Sequence, residues 1–390
     1  MKQGWEYKKL GEVCTIERVG SPRPITDYIT DSEDGINWIK IGDAQEGSKY
    51  ITSTKEKIRP EGIKKSRFVH KGDFILSNSM SFGRPYILKV DGCIHDGWLV
   101  IHDDNEVFIK DYLYYILSSS IMYAKFSQLA VGGVVNNLNS SLVRKVAIPI
   151  PPKSTQLSIV SELDKINELI RLKKEQLKDY DNLAQSIFYE MFGDPVENEK
   201  GWEVKKLGEV CTIERGSSPR PITAYITDSK DGINWIKIGD AQEGSKYITS
   251  TKEKIKPEGL KKSRFVHKGD FILSNSMSFG KPYILKIDGC IHDGWLVIHD
   301  NNNVFIKIYL YYLLASSIMY AKFSKLAVGG VVNNLNSSLV RKVDVSIPPL
   351  PLQHLFAQRI EQIEHQKSEV TKAITDLETL LASRMQHWFE

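Results

Sequence analysis

The sequence lacks the features that mark membrane-embedded, secreted and zinc-binding proteins. None of its apolar runs approaches the ~18 to 20 residues that a membrane helix needs. The start of the chain, "MKQGWEYKKLGEV", has no apolar core of the kind found in a secretion signal. The four cysteines, Cys14, Cys93, Cys211 and Cys290, form no C-x-x-C pair, which argues against a zinc site or a disulfide framework. We therefore expect a cytoplasmic protein with reduced, mostly buried thiols and no metal site.

Catalytic motifs are also scarce. The sequence has no Walker loop, no H-E-x-x-H signature and no Gly-rich loop suited to S-adenosylmethionine. The Pro-Pro pairs at 151–152 and 348–349 lack the polar and aromatic neighbours that a base-gripping motif needs. His95 and Asp96, in "CIHDGWL", are the nearest approach to a catalytic pair, but a histidine at a strand end is more often hydrogen-bonded locally. We expect no catalytic residue in this chain.

What the sequence does have is a long internal repeat. Residue n matches residue n + 197, and residues 5–146 differ from their counterparts at only 15 of 142 positions. The segment "KKSRFVHKGDFILSNSMSFG" occurs unchanged at 64–83 and at 261–280. Each copy is long enough to fold by itself, so the repeat predicts a duplicated domain.

Each copy is predicted to be mainly strand. Short β-rich runs such as "GINWIKIGD", "GDFILS" and "GCIHDGWLVIH" are bounded by Gly and Asp turns. Residues 109–130 have a helical pattern, followed by a Gly-Gly loop and a Ser-capped turn, "NSSLVRK". The proline-rich stretches "IPIPPK" and "SIPPLP" then end a strand in each copy, and a long helical pattern follows.

The two long helical patterns have the alternating 4/3 spacing of a heptad seam. The seam positions are Ile159, Leu163, Ile166, Ile170, Lys173, Leu177, Tyr180, Ala184, Ile187 and Met191, then Phe356, Ile360, Ile363, Lys367, Val370, Ile374, Leu377, Leu381, Arg384 and Trp388. Two rods that keep register while diverging in sequence are expected to pair with each other. Two unrelated surface helices are the alternative.

These patterns predict an α+β fold. We expect two mainly-β globular domains joined by two long antiparallel coiled-coil helices with pseudo-twofold symmetry. The predicted boundaries are 1–150 for the first domain, 151–192 for a central helix, 193–347 for the second domain and 348–390 for a C-terminal helix. Gly193 and Pro195 are predicted to break the central helix.

Binding chemistry is better supported than catalysis. The net charge is only +4, but the copies are basic and the segments outside them acidic. Seven Lys or Arg lie between Lys55 and Lys71, a density that suits a track of phosphates, with a solvated charged edge as the alternative. The strand "FIL" leads into "SNSMSFGR", whose Ser, Asn, Phe and Gly suit contacts with base edges and phosphates. "SPRP" and "GGVVNN" are weaker candidates of the same kind.

The residues predicted to contact DNA recur in both copies. In the first copy they are Arg23, Lys64, Lys65, Arg67, Ser77, Asn78, Ser79, Ser81, Phe82, Arg84, Gly132, Gly133, Asn136 and Asn137. In the second copy they are Arg220, Lys261, Lys262, Arg264, Ser274, Asn275, Ser276, Ser278, Phe279, Lys281, Gly329, Gly330, Asn333 and Asn334. Because Lys is no substitute for a bidentate Arg, the Arg84/Lys281 pair favours a phosphate contact. The unchanged arginines remain candidates for base readout.

The order of these parts resembles the DNA specificity subunit of type I restriction–modification systems. The resemblance covers essentially the whole chain and rests on "KKLGEVCTIERVGSPRP", "WIKIGD", "GDFILSNSMSFG" and "NLNSSLVRKVAIPIPPKSTQ". Gln156 and Gln353 occupy matching places after the prolines. After its Pro-Pro pair the first copy has Lys153-Ser154, where the second copy has Leu350-Pro351. This is a modest departure of the first copy from the family pattern.

The resemblance implies two target recognition domains, each reading half of a bipartite double-stranded DNA site in the major groove. It implies paired helices that act as a ruler and dock two methyltransferase subunits. Those partners would bind S-adenosylmethionine and methylate adenine N6, so no cofactor is expected in this chain. A restriction subunit is left open as a further partner. The alternatives are a stand-alone duplicated repressor, a coiled-coil adaptor and a divergent methyltransferase.

Near-identity of the copies adds a prediction about the DNA. Antiparallel helices are expected to give the chain pseudo-twofold symmetry, and near-identical domains should read near-identical half-sites in inverted orientation. We therefore expect a (pseudo)palindromic bipartite target with half-sites about one DNA turn apart.

Overall fold

The computed structural model describes residues 2, 4–45, 47–78, 83–130, 138–242, 244–275, 280–327 and 335–390. The chain divides into two compact units. The first is Met1–Lys174 with Lys372–Glu390, and the second is Glu175–Thr371. Each unit therefore contains one copy of the repeat together with part of each of two long helices.

The first unit consists mainly of short strands. They are β1 (Glu6–Lys9), β2 (Thr15–Arg18), β3 (Ile29–Thr30), β4 (Ile36–Ile39), β5 (Tyr50–Ile51), β6 (Glu56–Ile58), β7 (Arg67–Val69), β8 (Phe74–Ser77), β9 (Pro85–Leu88), β10 (Gly92–Ile94), β11 (Trp98–His102) and β12 (Ala147–Ile150). Its helices are α1 (Leu10–Val13), α2 (Lys110–Ser118), α3 (Ser120–Ala130), α4 (Ser140–Val143) and the first part of α5 (Lys153–Phe192).

Two five-stranded sheets carry the first unit. Their strand orders are β3-β6-β4-β10-β7 and β2-β11-β8-β9-β5, and β1 pairs with β12 as a separate ribbon. In the second sheet, alternate residues face opposite sides. Leu76 and Leu99 pack with the helices, whereas Ile75 and Val100 pack against the other sheet. Because both faces are covered, these strands are continuously apolar.

Two side chains set helix boundaries that the sequence pattern did not predict. The helical pattern at 109–130 is two helices, since Ser119 Oγ donates to the Ile116 carbonyl at 2.7 Å and accepts from the Met122 N–H at 3.2 Å. The turn "NSSLVRK" is not Ser-capped as predicted. Its cap is Asn139, whose Oδ1 accepts from the Leu142 N–H at 3.0 Å, because the side-chain oxygen of a residue at this place reaches a backbone donor of the first turn.

The second unit repeats the same elements. Its strands are β13 (Glu203–Lys206), β14 (Cys211–Arg215), β15 (Ile226–Thr227), β16 (Ile233–Ile236), β17 (Tyr247–Ile248), β18 (Glu253–Ile255), β19 (Arg264–Val266), β20 (Phe271–Ser274), β21 (Pro282–Leu285), β22 (Gly289–Ile291), β23 (Trp295–Asp300) and β24 (Asp344–Ile347). Its helices are α6 (Leu207–Val210), α7 (Lys307–Ala315), α8 (Ser317–Ala327), α9 (Ser337–Arg341) and the first part of α10 (Leu350–Phe389). The sheet orders are β15-β18-β16-β22-β19 and β14-β23-β20-β21-β17.

The helices α5 and α10 pack antiparallel in the first unit. Glu162 is bonded to Arg384 and accepts from Trp388 Nε1 at 2.9 Å. Further along α5, Lys174 Nζ lies 2.8 Å from Glu378. Residue numbers therefore rise along α5 as they fall along α10.

The same direction holds within the second unit. Asp181 pairs with Lys367 at 2.6 Å, and the Phe192 ring packs edge-on against Phe356 with centroids 5.3 Å apart. Every predicted seam position is buried or partly buried. The helix α5 ends at Phe192, and Gly193 follows in the left-handed conformation with φ +72°, as a helix C-terminus favours.

The predicted α+β class, with two mainly-β domains and two long antiparallel helices, is confirmed. The boundaries at 150, 192 and 347 stay a prediction, because contacts group parts of both long helices with each unit. The four cysteines are free and buried, as expected. In the described part of the chain, no helix is both long and apolar enough to cross a bilayer.

Candidate nucleic-acid interface

A turn at Asp96 and Gly97, between β10 and β11, is linked by hydrogen bonds to described residues that lie in or next to the candidate segments. Asn78 donates its Nδ2 to the Asp96 carbonyl at 3.0 Å and its N–H to the Gly97 carbonyl at 2.9 Å. The Asn78 carbonyl accepts from the Leu138 N–H at 2.9 Å. The Asp96 N–H donates to Ser21 Oγ at 3.0 Å. Ser21 and Asn78 therefore both bond to this turn, and Leu138 is linked to it through Asn78.

The second unit has the same four ties. Asn275 donates to the carbonyls of Asp293 and Gly294 at 3.0 and 2.9 Å. Its own carbonyl accepts from the Leu335 N–H at 2.9 Å, and the Asp293 N–H donates to Ser218 Oγ at 3.4 Å. The arrangement is thus built twice from the unchanged parts of the repeat.

In each unit one exposed arginine lies against the carboxylate of this turn. Arg23 lies 2.8 Å from Asp96 Oδ2 and is 79% exposed, while its counterpart Arg220 lies 3.3 Å from Asp293 and is 81% exposed. Partial burial alone would raise the pKa of Asp96. The hydrogen bond from Arg23 and the adjacent His95 outweigh burial and hold that pKa below its ordinary value.

His95 is hydrogen-bonded locally, as the sequence predicted. Its Nδ1 accepts from the Gly97 N–H at 2.9 Å, and its Nε2 lies 3.1 Å from Asp96 Oδ1. A ring whose Nδ1 accepts carries its proton on Nε2 when neutral, so Nε2 is the donor to Asp96. The ring also packs edge-on against Trp38, with centroids 5.9 Å apart.

The base of the loop after β8 is closed by backbone bonds. The Ser77 N–H donates to the Arg84 carbonyl at 3.0 Å, and the Gly83 N–H donates to the Ser77 carbonyl at 2.7 Å. Gly83 has φ +77°, and a Cβ there would meet Phe126 at 2.9 Å, so this position requires glycine. Ser77 and Asn78 are each 1% exposed. Their side chains hold the ends of the loop, as do those of their counterparts Ser274 and Asn275.

The predicted basic track contains side chains in three different environments. Lys64 is exposed and makes no ion pair with any described residue. Lys65 Nζ donates to the Tyr28 hydroxyl at 2.6 Å, and Arg67 lies 2.5 Å from Glu17. A cation that is already paired gains less from a phosphate than one in solvent, so Lys64 is the better phosphate ligand.

The basic residues of the second unit follow the same order. Lys261 and Lys281 are exposed. Lys262 Nζ donates to the Tyr225 hydroxyl at 2.7 Å, and Arg264 lies 2.7 Å from Glu214. In the first unit Arg84, the counterpart of Lys281, is also exposed.

Several predicted contacts lie outside the described residues. They are Ser79, Ser81, Phe82, Gly132, Gly133, Asn136 and Asn137, with their counterparts Ser276, Ser278, Phe279, Gly329, Gly330, Asn333 and Asn334. The described residues that adjoin them, Asn78 and Leu138, are the ones tied to the Asp96 turn.

Sequence reasoning did not select Asp96, Asp293, Ser21 or Ser218 as binding-site residues. The available signal was the recurrence of "CIHDGWL" in both copies. It pointed to a shared turn but not to the arginine that the turn holds, since Arg23 is distant from Asp96 in the chain.

Two mainly-β units, each with three loops tied to one turn, and two long antiparallel helices define a duplicated recognition module. A profile of the family described as "Type I restriction modification DNA specificity domain" matches residues 2–179 and 199–379. The chain belongs to this family and is a type I restriction–modification specificity subunit with two recognition domains.

Named relatives agree with this assignment. The type I restriction enzyme MjaIX specificity subunit of Methanocaldococcus jannaschii is 26% identical over 258 residues, which cover 62% of this chain and 59% of that subunit. The MjaVIII specificity subunit of the same organism is 21% identical over 414 residues, covering 97% and 92%. The first match thus spans less than two thirds of the relative's length.

A solved structure shares the fold. It concerns complex assembly and conformational transition of the type I R-M system, and one of its chains is similar to this one with a TM-score of 0.66. The similarity covers 99% of this chain and 97% of that chain at 20% identity.

Proposed function

We propose that this specificity subunit binds a bipartite site in double-stranded DNA, one half-site per unit. The observation that carries the proposal is a set of hydrogen bonds that recurs in both units. Ser21 and Asn78 bond to one turn, and Leu138 bonds to Asn78, so residues in or beside three separately predicted segments are linked. Loops fixed on a rigid sheet are where recognition residues collect. Sequence readout is assigned to the loops, and catalysis is assigned to partner subunits.

The exposed cations divide into two roles under this proposal. Arg23 and Arg220 contact bases, because each is held at the turn where the loops meet. Lys64 and Lys261 contact phosphates, as do Arg84 and Lys281. Arg67 and Arg264 are already paired with glutamates, and their assigned role is to fix the basic segment against the neighbouring strand.

The long helices are proposed to dock two methyltransferase subunits. Support comes from leucines on the two helices whose exposed fractions are 40% to 54%. They are Leu157, Leu169, Leu172 and Leu183 on α5, and Leu350, Leu355 and Leu380 on α10. Under this proposal, the partner subunits bury these exposed leucines. S-adenosylmethionine and adenine-N6 methylation belong to those partners, and the complex acts in the cytoplasm. A restriction subunit is left open as a further partner.

The phosphate role is tested by replacing Lys64 and Lys261 together with alanine. Each phosphate contact contributes about one unit to the slope of log K against log salt, so the double variant should lower that slope by about 2. Affinity should fall by a similar factor for every DNA sequence. Salt-titrated binding of the full-length chain in its methyltransferase complex measures both quantities.

The matched control is Lys8→Ala with Lys205→Ala, which removes two exposed lysines that already pair with glutamates on the β1 and β13 ribbons. This control should leave the slope unchanged. An unchanged slope in the Lys64/Lys261 variant would show that these residues do not contact DNA phosphates.

Size-exclusion chromatography should show a 2:1 complex of methyltransferase with this chain, which a stand-alone repressor or adaptor does not form.

A further inference from the structure

Both oxygens of the Asp96 carboxylate lie against side chains of the same unit. Its Oδ2 accepts from Arg23, and its Oδ1 faces the His95 Nε2–H. Its own N–H is bonded to Ser21, and its carbonyl to Asn78. Only 21% of the Asp96 side chain is exposed, against 79% of Arg23. The carboxylate is therefore fixed in place, and the guanidinium extends from it toward solvent.

This pairing favours one kind of DNA contact over another. A cation that is neutralised by a carboxylate releases few counterions from a phosphate, so the pair is a poor phosphate ligand. The single bond from Nη2 to Asp96 Oδ2 holds one nitrogen of the planar guanidinium at the turn and leaves its other donors facing solvent. Oriented donors are what bidentate bonding to guanine O6 and N7 requires.

In the second unit a cleft lies beside Arg220. Its volume is about 780 Å³, and Ile222, Trp235 and Lys237 lie in its walls. Asp293 accepts from Ser218 Oγ at 3.0 Å and faces His292 Nε2 at 2.9 Å, so this carboxylate is fixed in the same way. A base edge can thus approach the guanidinium without displacement of the turn.

We propose that Asp96 and Asp293 are positioning residues for sequence readout. Each holds one arginine, Arg23 or Arg220, so that its free donors meet a guanine in that unit's half-site. The inference rests on the proposed function and names the base class that one residue of each loop set reads. The aspartates themselves do not touch DNA.

The test is a double-mutant cycle in the first unit, with the second unit left intact as an internal reference. Asp96→Asn, Arg23→Ala and the combined variant are prepared as full-length chains in the methyltransferase complex. Each is used to select bound sequences from a randomised duplex library, and base preference is read at every position. A bidentate arginine contributes roughly 5- to 150-fold discrimination, so Arg23→Ala should abolish one guanine preference in one half-site.

The expected result for Asp96→Asn is a loss of about tenfold in the same guanine preference, with the other half-site unchanged. The combined variant should equal Arg23→Ala, because the aspartate acts only through the arginine. Asp96→Glu should recover part of the preference. Arg23→Lys, which leaves the turn intact, should lose the preference while keeping overall affinity within about threefold.

Three results would overturn the inference. Additive effects in the cycle would mean that Asp96 has a structural role only. If Asp96→Asn or Arg23→Ala lost the guanine preference in both half-sites, or in neither, the aspartate–arginine pair would not act within one unit as proposed. A wild-type complex that selects no sequence at all would instead refute the proposed function, which makes the two failures distinguishable.

Discussion

The Cys14 and Cys211 thiols occupy equivalent buried positions at the starts of β2 and β14. Burial, with Asp103 and Asp104 nearby, raises the pKa of Cys14 to about 12, and burial with Asp300 nearby does the same for Cys211. Because the thiolate is the reactive species, neither thiol should react near neutral pH. Iodoacetamide at pH 8 should label none of the four cysteines in the folded protein and all four after denaturation. Intact-mass spectrometry gives the count, and a labelled native cysteine would contradict the burial.

The same shifts give the direction of a pH effect on stability. In the unfolded chain a thiol ionises near pH 8.5, whereas the folded Cys14 and Cys211 stay protonated to about pH 12. Between these values the unfolded state binds fewer protons, so the free energy of unfolding falls as pH rises. This contribution is fully present below about pH 8.

Individual side chains were the level at which sequence reasoning was least complete. It selected Arg23 without any sign of its partner Asp96, and it selected Arg67 without any sign of its partner Glu17. A run of lysines and arginines reports charge along the chain, but pairing depends on which strand lies beside it. The Arg67–Glu17 and Arg23–Asp96 contacts both join segments that are distant in sequence.

At the level of helices and sheets, the two units differ where the repeat differs. In the first unit Lys49 Nζ lies 2.5 Å from Asp111. The second copy has Ile308 in place of that aspartate, and its Lys246 instead lies 2.9 Å from Glu364 on α10. Burial lowers the pKa of Lys246, although Glu364 opposes the shift. In the first unit Lys49 also lies 3.6 Å from Asp164 on α5, so both units place a carboxylate of a long helix near this lysine, and the second unit lacks only the one at the Asp111 position.

This contact predicts a specific instability. Glu364→Gln should lower the free energy of unfolding of the full-length chain by about 3 kcal/mol, because it removes the carboxylate that is paired with the buried ammonium of Lys246. The value is at the low end for a buried pair, since a third of Glu364 is exposed. Adding Lys246→Met should recover most of the loss. Denaturant titration measures each variant.

The matched control for this experiment is Glu361→Gln, an exposed carboxylate one turn earlier on the same helix. It should change stability by no more than about 0.5 kcal/mol. Equal losses for Glu361→Gln and Glu364→Gln would show that helix charge, and not the buried pair, is responsible.

The helices were the elements that the sequence predicted best. The heptad spacing is a local property of the chain, and it located the buried stripe of α5 and α10 at every position. The break at Ser119 and the Asn139 cap were not predicted, because several neighbouring polar residues compete for such roles and tertiary packing decides among them.

Over the whole molecule, the duplication is the feature with the largest functional consequence. The hydrogen bonds that tie the loops to the Asp96 turn recur at the Asp293 turn. Among the residues predicted to contact DNA, only Arg84 and Lys281 differ between the copies. Two domains with the same loops are expected to read the same bases, an inference that sequence alone supports and that the matching contacts strengthen.

The target should therefore be a bipartite sequence whose halves are reverse complements, about one DNA turn apart. The inverted order is the prediction made from the sequence, in which near-identical domains joined by antiparallel helices read their half-sites in opposite directions. Methylome sequencing of cells that co-express this chain and its methyltransferase reads the target directly. Exchanging the one differing pair, by Arg84→Lys with Lys281→Arg, should leave the sequence unchanged, because both residues are assigned to phosphates. Unrelated half-sites would contradict equivalent readout, and a direct repeat would contradict the inverted order.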